Sequence, residues 1–317
     1  MEKVKLFNNI SSLYKLNYKC ENTNVWIKRD DILDFAFGGN KVRLFEYIAA
    51  VIIESKAERL VTYGSSYSNY VRVAAAVCAK LQIACDIIIL DEHNWGNGGG
   101  NAVLLDYYNV NVIHCLIDEA HDFIDEYQAR LNSEGVKYIW IPGGGHIPEA
   151  SFGYVDASEE IKKQLNFFNV NIDAIFLPCG TGTTQAGLIY GFADTKVDVI
   201  GISIARETEK CKYVILETLK NMERIRHNKY VENWCINVIQ DTELMYAEVN
   251  SEIYAVIKKL AISDGFFLDP IYNAKAFYGM EKYIKNKGKI KDVLYLNTGG
   301  TPNIFVKGRY SNEYFNS

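Results

Sequence analysis

Between residues 59 and 142, short apolar runs alternate with amphipathic stretches at a steady interval, and nothing else in the chain constrains the fold so tightly. RLVTYG (59–64) has strand length, and SNYVRVAAAVCAKL (68–81) has helical periodicity. CDIIIL (85–90), a helix near NAVLLDYY (101–108), NVIHCL (111–116), a helix over 121–133 and VKYIWIP (136–142) continue the rhythm. Such a βαβα order implies a parallel sheet covered on both faces. A glycine cluster, PGGGHIPEASFGY (142–154), interrupts it and reads as a domain crossing. The alternation resumes with a helix over 155–167, DAIFLPCG (173–180), a helix over 184–193 and DVIGISI (198–204), and DVLYLNT (292–298) is expected as the last strand. NWGNGGGN (94–101) reads as a glycine-rich loop. The expected architecture is α/β, with two domains that exchange chain segments, each a mostly parallel open sheet flanked by helices.

Composition removes several classes of function. The chain has 317 residues, 49% apolar and 23% charged, with a formal net charge of -5. That balance gives no electrostatic case for nucleic acid or an anionic membrane. The longest apolar runs have strand length and cannot span a bilayer. Seven cysteines without a CxxC pair fit a reducing compartment, and five histidines without ligand spacing give no expectation of a metal. MEKVKLFNNI lacks the apolar core of a signal peptide, so a cytoplasmic location is expected.

Five stretches could carry chemistry. FAFGGNKVRLF (35–45) places Lys41 at a glycine bend where a helix begins, either as a solvated surface lysine or as a reactive amine on the floor of a pocket. LPCGTGTTQAGL (177–188) follows a strand and opens a helix. Its glycines allow close backbone approach, and free N–H groups at a helix start favour an anion such as phosphate, although a plain βα turn reads equally well. It has neither the lysine of a P-loop nor dinucleotide spacing. In YGSSYSNYVR (63–72), Ser68 is either a helix N-cap or, with Ser65 and Asn69, faces a cleft at the carboxyl ends of the strands. LDPIYNAKAFYGM (268–280) offers Tyr272 as a proton donor, one tyrosine among 22, and YLNTGG (295–300) ends a strand in Asn297 and Thr298.

In their order along the chain, the lysine after GGN, the SN turn, the GTGTT loop, the DPIY segment and the final NTGG together resemble the pyridoxal 5'-phosphate (PLP) enzymes of the tryptophan-synthase-β type (fold type II). Within these the chain is similar to the D-cysteine desulfhydrase and 1-aminocyclopropane-1-carboxylate (ACC) deaminase branch. WIKRDDILDFAFGGNKVRLFEY is the most specific part, GYVDASEEI (153–161) adds to it, and the resemblance runs from about 26 to 306. It implies a large PLP-binding domain from 1–45 and 155–317, a small domain from 46–154, and an active site in the cleft between them. Lys41 matches the Schiff-base lysine, and Gly180, Thr181, Gly182, Thr183 and Thr184 match the phosphate loop. Asn69 matches the partner of the ring 3-hydroxyl, Ser68 a serine that handles the substrate carboxylate or α-proton, and Tyr272 a tyrosine near the substrate. Thr298 and Asn273 are both candidates for the pyridine nitrogen partner.

Departures fall on the substrate side. Tyr67 and Tyr70 flank the serine turn where polar amides are usual, Asn297 replaces a histidine, and Thr183 a glycine. ACC deaminases carry a glutamate where Asn273 stands, and a neutral residue there suits elimination better than ring opening. Ser65, Ser68, Tyr67, Tyr70 and Asn297 are therefore the expected substrate-facing set. The implied activity is elimination and deamination of a small amino acid to a 2-oxo acid and ammonia, in a homodimer. A β-replacement synthase and a non-catalytic PLP or amino-acid binder are the other readings.

Overall fold

The computed structural model describes residues 2–90, 99–204, 206–226, 234–240, 244, 246, 248–288 and 290–306. The glycine-rich loop read at 94–101 lies, as far as residue 98, outside the described residues.

The chain opens with an antiparallel hairpin, β1 (Leu13–Cys20) and β2 (Thr23–Arg29), and then α1 (Asn40–Ser55). Next come β3 (Arg59–Gly64), α2 (Asn69–Leu81), β4 (Ala84–Ile89), α3 (Asn101–Leu105), β5 (Asn111–His114), α4 (Ala120–Ser133) and β6 (Tyr138–Trp140). After two short 3-10 turns follow α5 (Phe152–Phe167), β7 (Ala174–Cys179), α6 (Thr183–Gly191), β8 (Asp198–Ser203), α7 (Thr208–Arg226) and β9 (Asn237–Ile239). The last elements are α8 (Ser251–Asp264), α9 (Asn273–Lys287) and β10 (Asp292–Asn297).

Two sheets result. β5-β4-β3-β6 is parallel throughout, and β1-β2-β10-β7-β8-β9 is parallel except for the hairpin at its edge. The α/β architecture with two mostly parallel sheets flanked by helices is thus as expected. Every residue of β7 is buried, as are the last five of β4, because helices cover both faces. One apolar cluster joins α1, α2, α5 and α6, and a second lies between the large sheet and the helices α8 and α9.

The β1–β2 hairpin carries the KRDD stretch to the site. Asp30 is fully buried just after β2, and its carboxylate accepts hydrogen bonds from Arg43 Nε and Nη2 at 2.9 Å each, from Ser11 and from Tyr154. Arg43 also reaches Glu160, which pairs with the buried Lys28. Burial pushes the Asp30 carboxyl up, but Arg43 and Lys28 outweigh it and hold its pKa down at about 2. This network ties α1 to the end of β2 and to α5, directly beneath the turn that carries Lys41.

Candidate active site

The Lys41 turn is built by close backbone contact. Gly38 and Gly39 have φ of +63° and +101°, and a Cβ on Gly38 would stand 2.4 Å from the Asp31 carbonyl oxygen. The Gly39 N–H donates to Asp30 O (2.7 Å) and the Asn40 N–H to Thr298 O (2.9 Å), so the ends of β2 and β10 both hold the turn. Lys41, the second residue of α1, therefore points into a cavity of about 420 Å³ at the carboxyl ends of both sheets. Its Nζ donates to the Gly144 carbonyl at 2.8 Å, and no described carboxylate forms an ion pair with it. Burial lowers its pKa to about 8, so a substantial fraction is neutral amine near physiological pH. One consequence is measurable: PLP added to the cofactor-free protein is expected to attach faster as the pH rises through about 8 and to level off above. Stopped-flow absorbance at several pH values checks it, and a rate that stays flat until pH 10 would contradict the lowered pKa.

On the large sheet, β7 ends at Cys179 and Gly180–Gly182 turn into α6. Gly182 takes φ +83°, and a Cβ there would meet Ile215 of α7 at 2.7 Å. Gly180, Thr181, Gly182 and Thr184 line the cavity. Thr183 is buried, its hydroxyl 3.2 Å from both Thr181 Oγ1 and His146 Nδ1. Asn40 Nδ2 donates to Thr184 Oγ1 at 2.9 Å, which links the lysine turn to this loop. Hydroxyls and the unpaired N–H groups of a first helical turn converge as a phosphate would need.

On the small sheet, Ser68 is the N-cap of α2, its hydroxyl accepting from the Tyr70 N–H at 3.2 Å, yet it also lines the cavity. Both readings of that serine hold together. Ser65 and Asn69 stand beside it on the same wall. Asn69 Oδ1 accepts from Arg72 and Asn101, which fixes the sense of the amide and leaves Nδ2 as the end without a partner among the described residues.

Tyr272, just before α9, closes the opposite side. Its hydroxyl lies 2.6 Å from that of Tyr246, which in turn lies 3.1 Å from Ser65 Oγ. Nothing in the sequence marks Tyr246, one of 22 tyrosines in a stretch without periodicity, and its place here comes from the fold alone. Gly144, expected only as part of a domain crossing, supplies the lysine's acceptor, and Arg206 joins the wall near the phosphate loop.

The remaining expected residues divide. Thr298 lines the cavity. Asn273 stands behind it, with both ends of its amide committed. Its Oδ1 accepts from the Thr298 N–H (2.9 Å) and hydroxyl (3.2 Å), and its Nδ2 donates to Asp269 and Gly299. Tyr70 lines the floor with its ring, which stacks on Phe45, while its hydroxyl meets Thr62. Tyr67 is not among the lining residues, and its carbonyl receives Asn101 and Asn303. Asn297 is buried outside the cavity, bonded to the Gly299 N–H, and shapes the NTGG turn.

The residues present fit PLP. Glycine backbones leave room that a Cβ would fill, the α6 start offers donors without a counter-charge, Asn69 lines the cavity with its Nδ2 unpartnered among the described residues, and a partly neutral lysine opens on the same space. Comparisons with known proteins agree. The family pattern described as "Pyridoxal-phosphate dependent enzyme" matches residues 8–299. The D-cysteine desulfhydrase of Yersinia enterocolitica is 31% identical over 96% of this chain and 95% of its own length. That of Klebsiella pneumoniae strain 342 is 32% identical over 89% of this chain and 88% of its own. The crystal structure of an ACC deaminase homologue superposes with a TM-score of 0.88 at 26% identity, covering 99% of this chain and 96% of that one. Geometry, family pattern and relatives together place this chain among the pyridoxal-phosphate dependent enzymes.

Proposed function

We propose that this enzyme performs α,β-elimination and deamination on a small amino acid with a good leaving group on its β-carbon, a β-thiol amino acid first among them. With one water consumed, the products would be a 2-oxo acid, ammonia and the protonated leaving group. The observation that carries this reading is the chain of hydroxyls, Ser65–Tyr246–Tyr272, whose three residues line the same cavity as Lys41. Support comes from relatives named D-cysteine desulfhydrase, matched over nearly their whole length.

PLP supplies the electron sink that makes the α-proton acidic. The protein's share is orientation and proton control. Lys41, partly neutral, holds the cofactor and takes the α-proton on Nζ; Ser68 and the N–H groups of its turn hold the substrate carboxylate. Tyr272, hydrogen-bonded to Tyr246, delivers a proton to the departing group, and Ser65 relays one from the far side. No carboxylate lies among the lining residues, so a departing thiolate meets donors and not repulsion. Gly180, Thr181, Gly182, Thr183 and Thr184 would hold the phosphate, Asn69 would serve the ring 3-oxygen, and Thr298, supported by Asn273, would serve the pyridine nitrogen. The site sits in a cleft between a small unit over 46–154 and the rest of the chain.

Among the described residues no helix is long and apolar enough to cross a membrane. A cytoplasmic homodimer is the setting that accords with the family resemblance.

The test is a substrate panel of D-cysteine, L-cysteine, O-acetylserine and ACC, each with and without an added thiol. Expected is 2-oxo acid and ammonia from a β-thiol substrate without a second nucleophile. Turnover only when a nucleophile is added would replace this reading with a β-replacement synthase. Turnover of ACC alone would restore ring opening.

A further inference from the structure

Two arginines are fully enclosed among the described residues, and the fold treats them in opposite ways. Arg43 is neutralised by Asp30 and Glu160. Arg72, 0% exposed, meets only neutral oxygens. Its Nη1 donates to Asn69 Oδ1 (2.9 Å) and Asn101 Oδ1 (2.8 Å), its Nη2 to the Gly38 carbonyl (3.0 Å), and its Nε has no partner. A buried guanidinium without a bonded counter-charge is costly, and burial lowers its pKa to about 10. Of the ionisable groups that face it, Tyr108 and Tyr272 are phenols. Asp269 makes no bond to it and instead receives the N–H groups of Ile271, Tyr272 and Asn273 and the Asn273 amide.

The geometry says where the missing anion belongs. Asn69 Oδ1 is taken by Arg72 and by Asn101 Nδ2 (2.9 Å), which fixes the sense of the amide. Its Nδ2 has no partner among the described residues, and Asn69 lines the cavity. The cavity thus meets an N–H donor backed by a full positive charge, about 6 Å behind the atom that would accept it. An ionised oxygen fits such a donor better than a hydroxyl does. The same guanidinium holds Gly38, so the lysine turn and Asn69 share one anchor.

We propose that Arg72 is a positioning residue that acts through Asn69 to select the ionised form of the cofactor's ring 3-oxygen; this rests on the reading that Asn69 faces that oxygen. The purpose of a cation left unpaired by protein is then to be paired by cofactor.

The experiment compares PLP with 3-O-methylpyridoxal 5'-phosphate, whose 3-oxygen cannot ionise, in wild type, Arg72→Gln, Arg72→Lys and Asn69→Ala. Equilibrium dialysis gives affinities, and the pH midpoint of the bound cofactor's visible band gives the charge effect. Arg72→Gln is expected to weaken PLP about tenfold and to raise the midpoint by about one unit, because removing a cation eases proton uptake. The methylated analogue should lose less than about twofold, and Arg72→Lys should stay close to wild type on both counts, since a charge at that distance is what the proposal requires. Equal loss for both cofactors, or an unmoved midpoint, would mean that Arg72 only holds the fold. Should Arg72→Gln not fold, Asn101→Asp reads the same quantity by setting a carboxylate against Nη1. A raised midpoint supports the proposal there, and an unmoved one overturns it. If Asn69→Ala leaves the preference between the two cofactors intact, the placement of Asn69 itself is wrong. If Asn69→Ala abolishes that preference and Arg72→Gln does not change it, the placement stands and the role of Arg72 falls.

Discussion

Lys41→Ala protein incubated with PLP is expected to be colourless once gel filtration has removed unattached cofactor, and its activity on any substrate that wild type consumes should fall by at least about a thousandfold. Two losses combine. Among the described residues, the substitution removes the only lysine amine that lines the cavity, and with it the group placed to move the α-proton. Loss of a positioned proton-transfer group alone is typically worth a factor of about 100 to 10,000. Fold should be untouched, because among the described residues Lys41 makes a single hydrogen bond, to Gly144, and α1 is set by its glycine turn and its buried face. The phosphate loop and Asn69 remain, so PLP should still bind reversibly and be removed by gel filtration. Absorbance before and after filtration, with circular dichroism as the fold control, separates these effects. A visible band that survives filtration would move the covalent site to another lysine.

Arg43→Ala should lower unfolding stability by about 3–5 kcal/mol, the usual loss when one partner of a buried ion pair is removed. Asp30 would stay buried with its carboxylate still held by Ser11 and Tyr154 but with its bidentate partner gone. The pH dependence gives a second readout. In wild type the Asp30 pKa is held at about 2, below its ordinary 3.8, so its stabilising share is present above about pH 4 and is lost as the pH falls toward 2. Without Arg43, burial dominates and raises that pKa, so acid unfolding should begin at a higher pH. Urea titrations at pH 7 and pH 4 measure both. An unchanged acid limb would show that Asp30 is not held by Arg43.

Much of this was legible in the chain. From 59 to 142 and from 173 to 204, the expected strands and helices agree with those observed to within a few residues, because parallel strands covered on both faces are uniformly apolar and their helices periodic. The β1–β2 hairpin gave no such signal. Its edge strand, β1, mixes lysine, asparagine and tyrosine with apolar residues, and Lys28 of β2 is buried because Glu160 and Gln164 of α5, with the Ser11 carbonyl, receive its amine. α7, α8 and β9 were not anticipated either. Lys41, Ser68, Asn69, the phosphate loop, Tyr272 and Thr298 could be named because short motifs carry them. Tyr246 and Arg72 could not, since their place depends on which side chains the fold sets opposite them. Asn273 and Asn297 lie within the motifs, yet their amides are used to hold backbone turns beside the cavity.

The pairing of β2 with β10 also dictates an order of assembly. Arg29 lies opposite Asn297, and the Asn40 N–H that opens the lysine helix is received by Thr298. These partners are separated by well over two hundred residues, so a growing chain has β2 and Lys41 long before it has the strand that fixes them. Until residues 292–300 emerge, the turn lacks the clamp at Thr298. The contact that completes the lysine turn is thus among the last that the growing chain can form.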